Sequence, residues 1–190
     1  MNIKIFCDLD GVLVDFDSGV KKILKKSPDQ LPEGLMWAVI KKTPDFYNKL
    51  DWMPDGKELW NFIKDFQGVQ LLTGVPRGSS GAGGAVNQKN SWCRRELGTK
   101  YNVICCSTKD KPLYATKGAI LIDDRLKIAN EWIAKGGIFI HHTSTENTIK
   151  ELQKYIFSFQ GEEAEGKAEE INNNEYEYIV PTLREKVNKK

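Results

Sequence analysis

The sequence predicts a doubly wound α/β fold built on a mainly parallel, five-stranded sheet, and three observations predict it. Short apolar runs rich in Val and Ile alternate with stretches of helical spacing. The runs are apolar almost without a break, as strands buried on both faces of a sheet must be. The carboxylate-rich and glycine-rich stretches follow strand ends, which is where open α/β sheets bind their ligands.

In chain order, the strands are IKIFC (3–7), VQLLT (69–73), NVICC (102–106), AILID (119–123) and GIFIH (137–141). Helical spacing falls between and after them at ELWNFIKDF (58–66), NSWCRREL (90–97), LKIANEWIA (126–134) and TENTIKELQKYIF (145–157). Thr143 and Glu146 have the spacing of a capping box opening the last helix. Strand and helix in repeated alternation define the doubly wound class. The α/β core is therefore assigned to residues 1–16 and 58–160. Residues 17–57 form a small helical insertion, broken by Pro28, Pro32 and Pro44. Its aromatics, Trp37, Phe46, Tyr47 and Trp52, are read first as a small core of its own and second as the lining of a substrate pocket. Residues 161–190 are polar, charged and glycine-interrupted, the composition of a solvated tail.

Basic and acidic residues are nearly balanced, 28 against 26 with a formal charge of +2, so composition gives no nucleic-acid footprint. Apolar runs are strand-sized and no signal-peptide pattern opens the chain, so a soluble, cytoplasmic protein with no membrane contact is expected. Cys7, Cys93, Cys105 and Cys106 form no C-x-x-C, and His141 and His142 are the sole histidines, which argues against zinc and for reduced cysteines. The histidines themselves are read as strand-end surface residues. GVPRGSSGAGG (74–84) lacks the Lys-Ser/Thr of a phosphate-binding P-loop and reads as a flexible loop.

CDLDGVLVDF (7–16) places Asp8, Asp10 and Asp15 within eight positions beside an apolar run. Clustered carboxylates repel, and desolvating them unpaired is costly. A divalent cation that prefers oxygen ligands removes the difficulty. Asp123 and Asp124 follow the fourth strand, and by themselves read as caps for the helix beginning near Arg125.

Together these segments resemble the haloacid dehalogenase (HAD) superfamily, and within it the 5'(3')-deoxyribonucleotidases. Asp8-Leu9-Asp10-Gly11-Val12-Leu13 is similar to its first motif, LLTG (71–74) to its second, STKDKP (107–112) to its third and LIDDR (121–125) to its fourth. KNSWCRRELG (89–98) and FYNKLDWMPDGKELW (46–60) resemble further nucleotidase segments. The resemblance implies a Rossmann-like, HAD-like core with a helical cap and a Mg²⁺-dependent phosphatase. Asp8 would be the nucleophile, forming an aspartyl-phosphate, and Asp10 the acid and base. Thr73 and Lys111 would cradle the phosphate. Mg²⁺ would be held by Asp8, by the backbone carbonyl of Asp10, and by Asp123 or Asp124. Phe16 would contact a base, Lys89 a second phosphate or the intermediate, and Arg77 a second phosphate or a base. Gly74 stands in the substrate loop where the family usually has serine. The implied substrate is a small phosphorylated molecule, foremost a nucleoside 5'- or 3'-monophosphate. The insertion is short, with 64 residues separating Asp8 from Thr73, which also admits a phosphorylated nucleic-acid end. A non-catalytic phosphate-binding module is a third reading, disfavoured by the presence of both Asp8 and Asp10. A homodimer is open.

Overall fold

The computed structural model describes residues 4–76 and 84–156. The chain divides into two compact units, 2–151 and a second formed by Met1 and 152–190. Of the second unit, residues 152–156 are described, and they are helical. Arg77 and the expected tail at 161–190 lie outside the described residues.

Five parallel strands form one sheet: β1 (Lys4–Cys7), β2 (Gly68–Gly74), β3 (Val103–Cys106), β4 (Ile120–Asp123) and β5 (Ile138–His141). Their spatial order is β3-β2-β1-β4-β5. The chain thus builds outward from β1 to one side, then returns and builds outward on the other. This leaves the switch point between β1 and β4, whose register pairs Cys7 with Ile122. Residues immediately beyond that pair face the crevice where doubly wound folds bind ligands. The strand segments of the sequence match the observed strands to within two residues.

The helices are α1 (Phe16–Leu24), α2 (Glu33–Lys42), α3 (Gly56–Ile63), α4 (Ala85–Glu96) and α5 (Ala129–Ala134). A sixth helix, α6, spans 145–156. Phe6, Leu72, Leu121, Ile128 and Trp132 are buried together on one face of the sheet. Trp132 sets its ring edge-on to Phe6 at 5.5 Å and donates its indole N–H to the carbonyl of Ala119 at 3.2 Å. Such a residue satisfies its one polar atom while burying a large apolar body.

Four local expectations are corrected. Helix α4 starts five residues before the expected Asn90, because Ala85 through Gln88 supply helical backbone without a large apolar stripe. The stretch 126–134 is a 3₁₀ turn (Leu126–Ile128) that runs into α5 rather than one helix. Helix α6 is capped by Ser144, whose hydroxyl accepts from Asn147 N–H at 3.2 Å, and not by Thr143 with Glu146. His142 is not a surface residue: it is 5% exposed, with Nδ1 paired to Thr148 Oγ1 at 2.8 Å. A polar residue can be buried wherever a partner satisfies it, and hydropathy alone does not reveal the partner.

Phe16, at the start of α1, gathers with Trp37, Phe46 and Tyr47 of the insertion, with ring centroids 5.1 to 6.4 Å apart. Trp52 instead packs against Trp92 of α4 at 5.0 Å and bonds Glu96 at 2.8 Å. The indole of Trp92 donates to Leu50 O, and Gln88 Oε1 accepts from Tyr47 N–H, both at 2.9 Å. The insertion is therefore fastened to α4 by hydrogen bonds as well as by aromatic contact.

Candidate active site

Asp8 follows the last residue of β1 and is 5% exposed. Its backbone N–H donates to Ile122 O at 2.9 Å, which continues the β1–β4 ladder and fixes the carboxylate over the switch point. Oδ1 of that carboxylate accepts from Leu9 N–H at 2.8 Å, and Oδ2 lies 2.8 Å from Lys111 Nζ. The same ammonium reaches Asp123 Oδ2 at 2.6 Å. Burial alone would lower the Lys111 pKa, but the Asp8 and Asp123 charges outweigh it and push the group upward, so the ammonium persists.

Lys111 arrives on a 3₁₀ turn, Thr108–Tyr114, where the sequence reading has an unclassified loop after β3. Its side chain is 1% exposed, which is rare for lysine unless paired.

Asp10 faces a second buried cation. Lys89, 2% exposed and carried on α4, touches Asp10 Oδ2 at 2.5 Å, Thr73 Oγ1 at 2.9 Å and Gly74 O at 3.0 Å. An ammonium can only donate, so Thr73 Oγ1 accepts from it and keeps its own proton free for another acceptor. Lys89 also sits 5.2 Å from the centroid of the Tyr47 ring, a cation–π contact that ties the insertion to the site.

Asp124 completes the acidic group. One carboxylate oxygen from each of Asp8, Asp123 and Asp124 lies within 4.8 Å of the others. Asp123 Oδ1 accepts from Arg125 N–H at 2.9 Å, a local turn that leads into the 3₁₀ turn at Leu126–Ile128, whose N-cap is Arg125 and not Asp123 or Asp124. Among the described residues, Asp124 Oδ1 is buried without a hydrogen-bond partner. Its pKa is raised to about 6 by burial first, and then by the neighbouring charges of Asp8 and Asp123. Asp123 is raised as well, by burial and by Asp8, with Lys111 opposing. Three converging carboxylates, one with an orphaned buried oxygen, are a donor set that fits a hard divalent cation such as Mg²⁺.

Gly11 keeps this group together. Its φ is +77°, and a Cβ added there would lie 2.4 Å from Asp124 Oδ2. Only glycine combines that backbone with that approach.

The structure thus brings Asp8, Lys111, Asp123 and Asp124 together, and Asp10, Lys89, Thr73 and Gly74 beside them. The Asp10 carboxylate pairs with Lys89 rather than joining the three acidic groups. Asp15 leaves the cluster and caps α1, accepting from Ser18 N–H at 2.9 Å. Phe16 is 5% exposed and lies among the insertion aromatics. His141, exposed at the end of β5, donates Nε2–H to Asp124 O at 3.0 Å, a backbone support for the acidic group that the sequence reading missed. The pairing of β4 with β5, Asp123 opposite His141, is the signal that would have found it.

No protein-family model matches the chain, and no curated protein does. Among solved structures, it is similar to a HAD-superfamily hydrolase from Ehrlichia chaffeensis, with a TM-score of 0.51 and 10% identity over 80% of this chain and 97% of that one. A hydrolase from Streptococcus pneumoniae aligns with a TM-score of 0.48 and 15% identity, over 80% of this chain and 100% of that one. A HAD-superfamily hydrolase of subfamily IA from Geobacter sulfurreducens aligns with a TM-score of 0.47 and 14% identity, over 72% of this chain and 88% of that one. The five-stranded parallel sheet and the likeness to the Ehrlichia chaffeensis structure show the HAD-like Rossmann fold. Among the described residues, no helix is long and apolar enough to cross a membrane.

Proposed function

We propose that the protein is a Mg²⁺-dependent phosphatase that hydrolyses a phosphate monoester through a phosphorylated Asp8. The observation that carries this reading is the Asp8 carboxylate, which is buried, fixed at both oxygens and set beside Asp123 and Asp124. Phosphate monoesters hydrolyse very slowly unaided, and catalysis rests on positioning and charge neutralisation.

Asp8 attacks phosphorus while the ester oxygen leaves, and a proton from Asp10 completes the alcohol. Asp10, now ionised, takes a proton from water, which attacks phosphorus and releases phosphate and free Asp8. Thr73 donates its free hydroxyl proton to a phosphoryl oxygen, and Lys111 balances the charge on Asp8. Lys89 orients Asp10 against Thr73. Asp8, Asp123, Asp124 and the Asp10 carbonyl would hold Mg²⁺, which supplies Lewis-acid neutralisation of the phosphoryl group when bound.

A nucleoside monophosphate leads the substrate classes, on the strength of the nucleotidase-like segments. The Phe16 ring is engaged with Trp37, Phe46 and Tyr47, which takes away its support for base contact; a phosphorylated nucleic-acid end stays the second reading, on the short insertion between Asp8 and Thr73. The test is a Mg²⁺ assay across nucleoside monophosphates, sugar phosphates and 3'- or 5'-phosphorylated oligonucleotides, with EDTA controls and mass-spectrometric mapping of the phosphoenzyme. Turnover is expected to vanish in EDTA and in Asp8→Asn. Full activity without metal, or a phosphoryl group on a residue other than Asp8, refutes the reading.

A further inference from the structure

The hydroxyl of Thr108 is a polar group that the steps above leave unused. Thr108 opens the 3₁₀ turn that carries Lys111. Three residues per turn put positions 108 and 111 on the same side of it. From that side Lys111 reaches Asp8, while Thr108 meets the end of β2: a Cβ added to Gly74 would lie 2.5 Å from Thr108 Oγ1. The hydroxyl thus fills the space that a side chain at position 74 would take. It is half-buried, and among the described residues it has no hydrogen-bond partner. Around it stand the groups assigned to the phosphate: Thr73 precedes Gly74 in β2, and Lys89 bonds both Thr73 Oγ1 and Gly74 O.

We propose that Thr108 is a substrate-binding residue whose hydroxyl donates to a phosphoryl oxygen of the substrate beside Thr73 and Lys111, and that glycine at position 74 makes the room for it. The inference rests on the phosphatase reading. An unpaired hydroxyl next to an anion site is complementary to a charged acceptor, and such charge-assisted bonds are among the stronger ones. Glycine at 74 and threonine at 108 form one device, since any side chain at 74 displaces the hydroxyl.

The test compares Thr108→Val, which keeps the shape and removes the hydroxyl, with Thr108→Ser, which keeps the hydroxyl. Three quantities are measured with Mg²⁺ present: kcat and KM for para-nitrophenyl phosphate, and the Kd of inorganic phosphate by calorimetry. Thr108→Val is expected to raise KM and the phosphate Kd about tenfold or more, with Tm unchanged because no internal bond is lost. Thr108→Ser should stay within about twofold of wild type, and Gly74→Ala should reproduce the Thr108→Val loss. Wild-type values for Thr108→Val, or equal losses in Thr108→Ser, overturn the inference and leave the phosphatase reading standing. A wild-type protein that neither hydrolyses the ester nor binds phosphate refutes both.

Discussion

Lys111→Met keeps the reach of the side chain and removes its ammonium, which makes it a direct probe of how the site holds its charge. Lys111 is 1% exposed and bonds Asp8 at 2.8 Å and Asp123 at 2.6 Å, so the substitution strands two carboxylates in a desolvated place. Breaking a buried pair from one side costs about 3–5 kcal/mol, most of it the penalty of the uncompensated partner. The unit 2–151 has about 150 residues. At that size each kcal/mol moves Tm by about 2–4 °C, which gives an expected drop of about 6–20 °C in EDTA. Two further measurements separate this cause from a simple packing defect. Adding Asp123→Asn removes one stranded charge and should restore part of the loss. Adding Mg²⁺ should restore part of it too, since Asp8, Asp123 and Asp124 then share a cation. The assay is thermal melting by circular dichroism, in EDTA and in excess Mg²⁺. A Tm within about 1 °C of wild type, or a loss indifferent to Asp123→Asn, refutes the charge argument.

Gly11→Ala forces a left-handed backbone on alanine, costing about 1–2 kcal/mol, and pushes Asp124 aside. The Mg²⁺ concentration for half-maximal activity should rise by more than the stability loss alone would suggest, as a metal titration beside a melt would show. Phe16→Ala should cost about 3–5 kcal/mol of stability as a core truncation, and KM for a nucleotide and a sugar phosphate should change together. A nucleotide-selective loss would reinstate base contact. Burial holds the His142 pKa below the usual histidine range, with Asp55 opposing and His141 adding to the shift. The unfolded chain therefore binds the proton first, so stability present above about pH 6.5 is lost as pH falls through the lower folded value. The fall in Tm between pH 7.5 and 5 should be shallower in His142→Asn, measured against wild type in the same buffers.

The strands are legible because burial on both faces leaves a strand almost no polar residues, and that composition survives in a bare sequence. Asp8, Asp10 and Asp124 stand out because they follow strand ends, while Thr73 and Asp123 lie within the last two residues of their strands and are singled out by the motif resemblance. The partners are much less so. Nothing local marks Thr108 as the residue that will meet Gly74, because the meeting depends on the β2–β3 register that pairs Gly74 with Cys106. His142 looks like a solvated strand end until α6 supplies Thr148. The 3₁₀ turn at 108–114 has no apolar period to read, since its job is to deliver Lys111 inward.

The lysines explain how the sequence tolerates what its first motif proposes. Four carboxylates stand at the carboxyl ends of β1 and β4, Asp8, Asp123 and Asp124 converging and Asp10 beside them. Two buried ammonium groups meet them, Lys111 between Asp8 and Asp123, and Lys89 on Asp10. Each comes from a segment far along the chain, across the sheet on the β2–β3 side. With Asp10 ionised, as it is between proton donation and the attack of water, the ion pairs leave two negative charges for one divalent cation to balance, beside an Asp124 oxygen that has no partner among the described residues. Replacing either lysine with a neutral residue would break that balance, whereas a chain meant only to bind phosphate would gain from fewer carboxylates. Retaining all four beside two buried cations costs stability, and a site that must place a nucleophile, an acid and a metal within one crevice has reason to bear it.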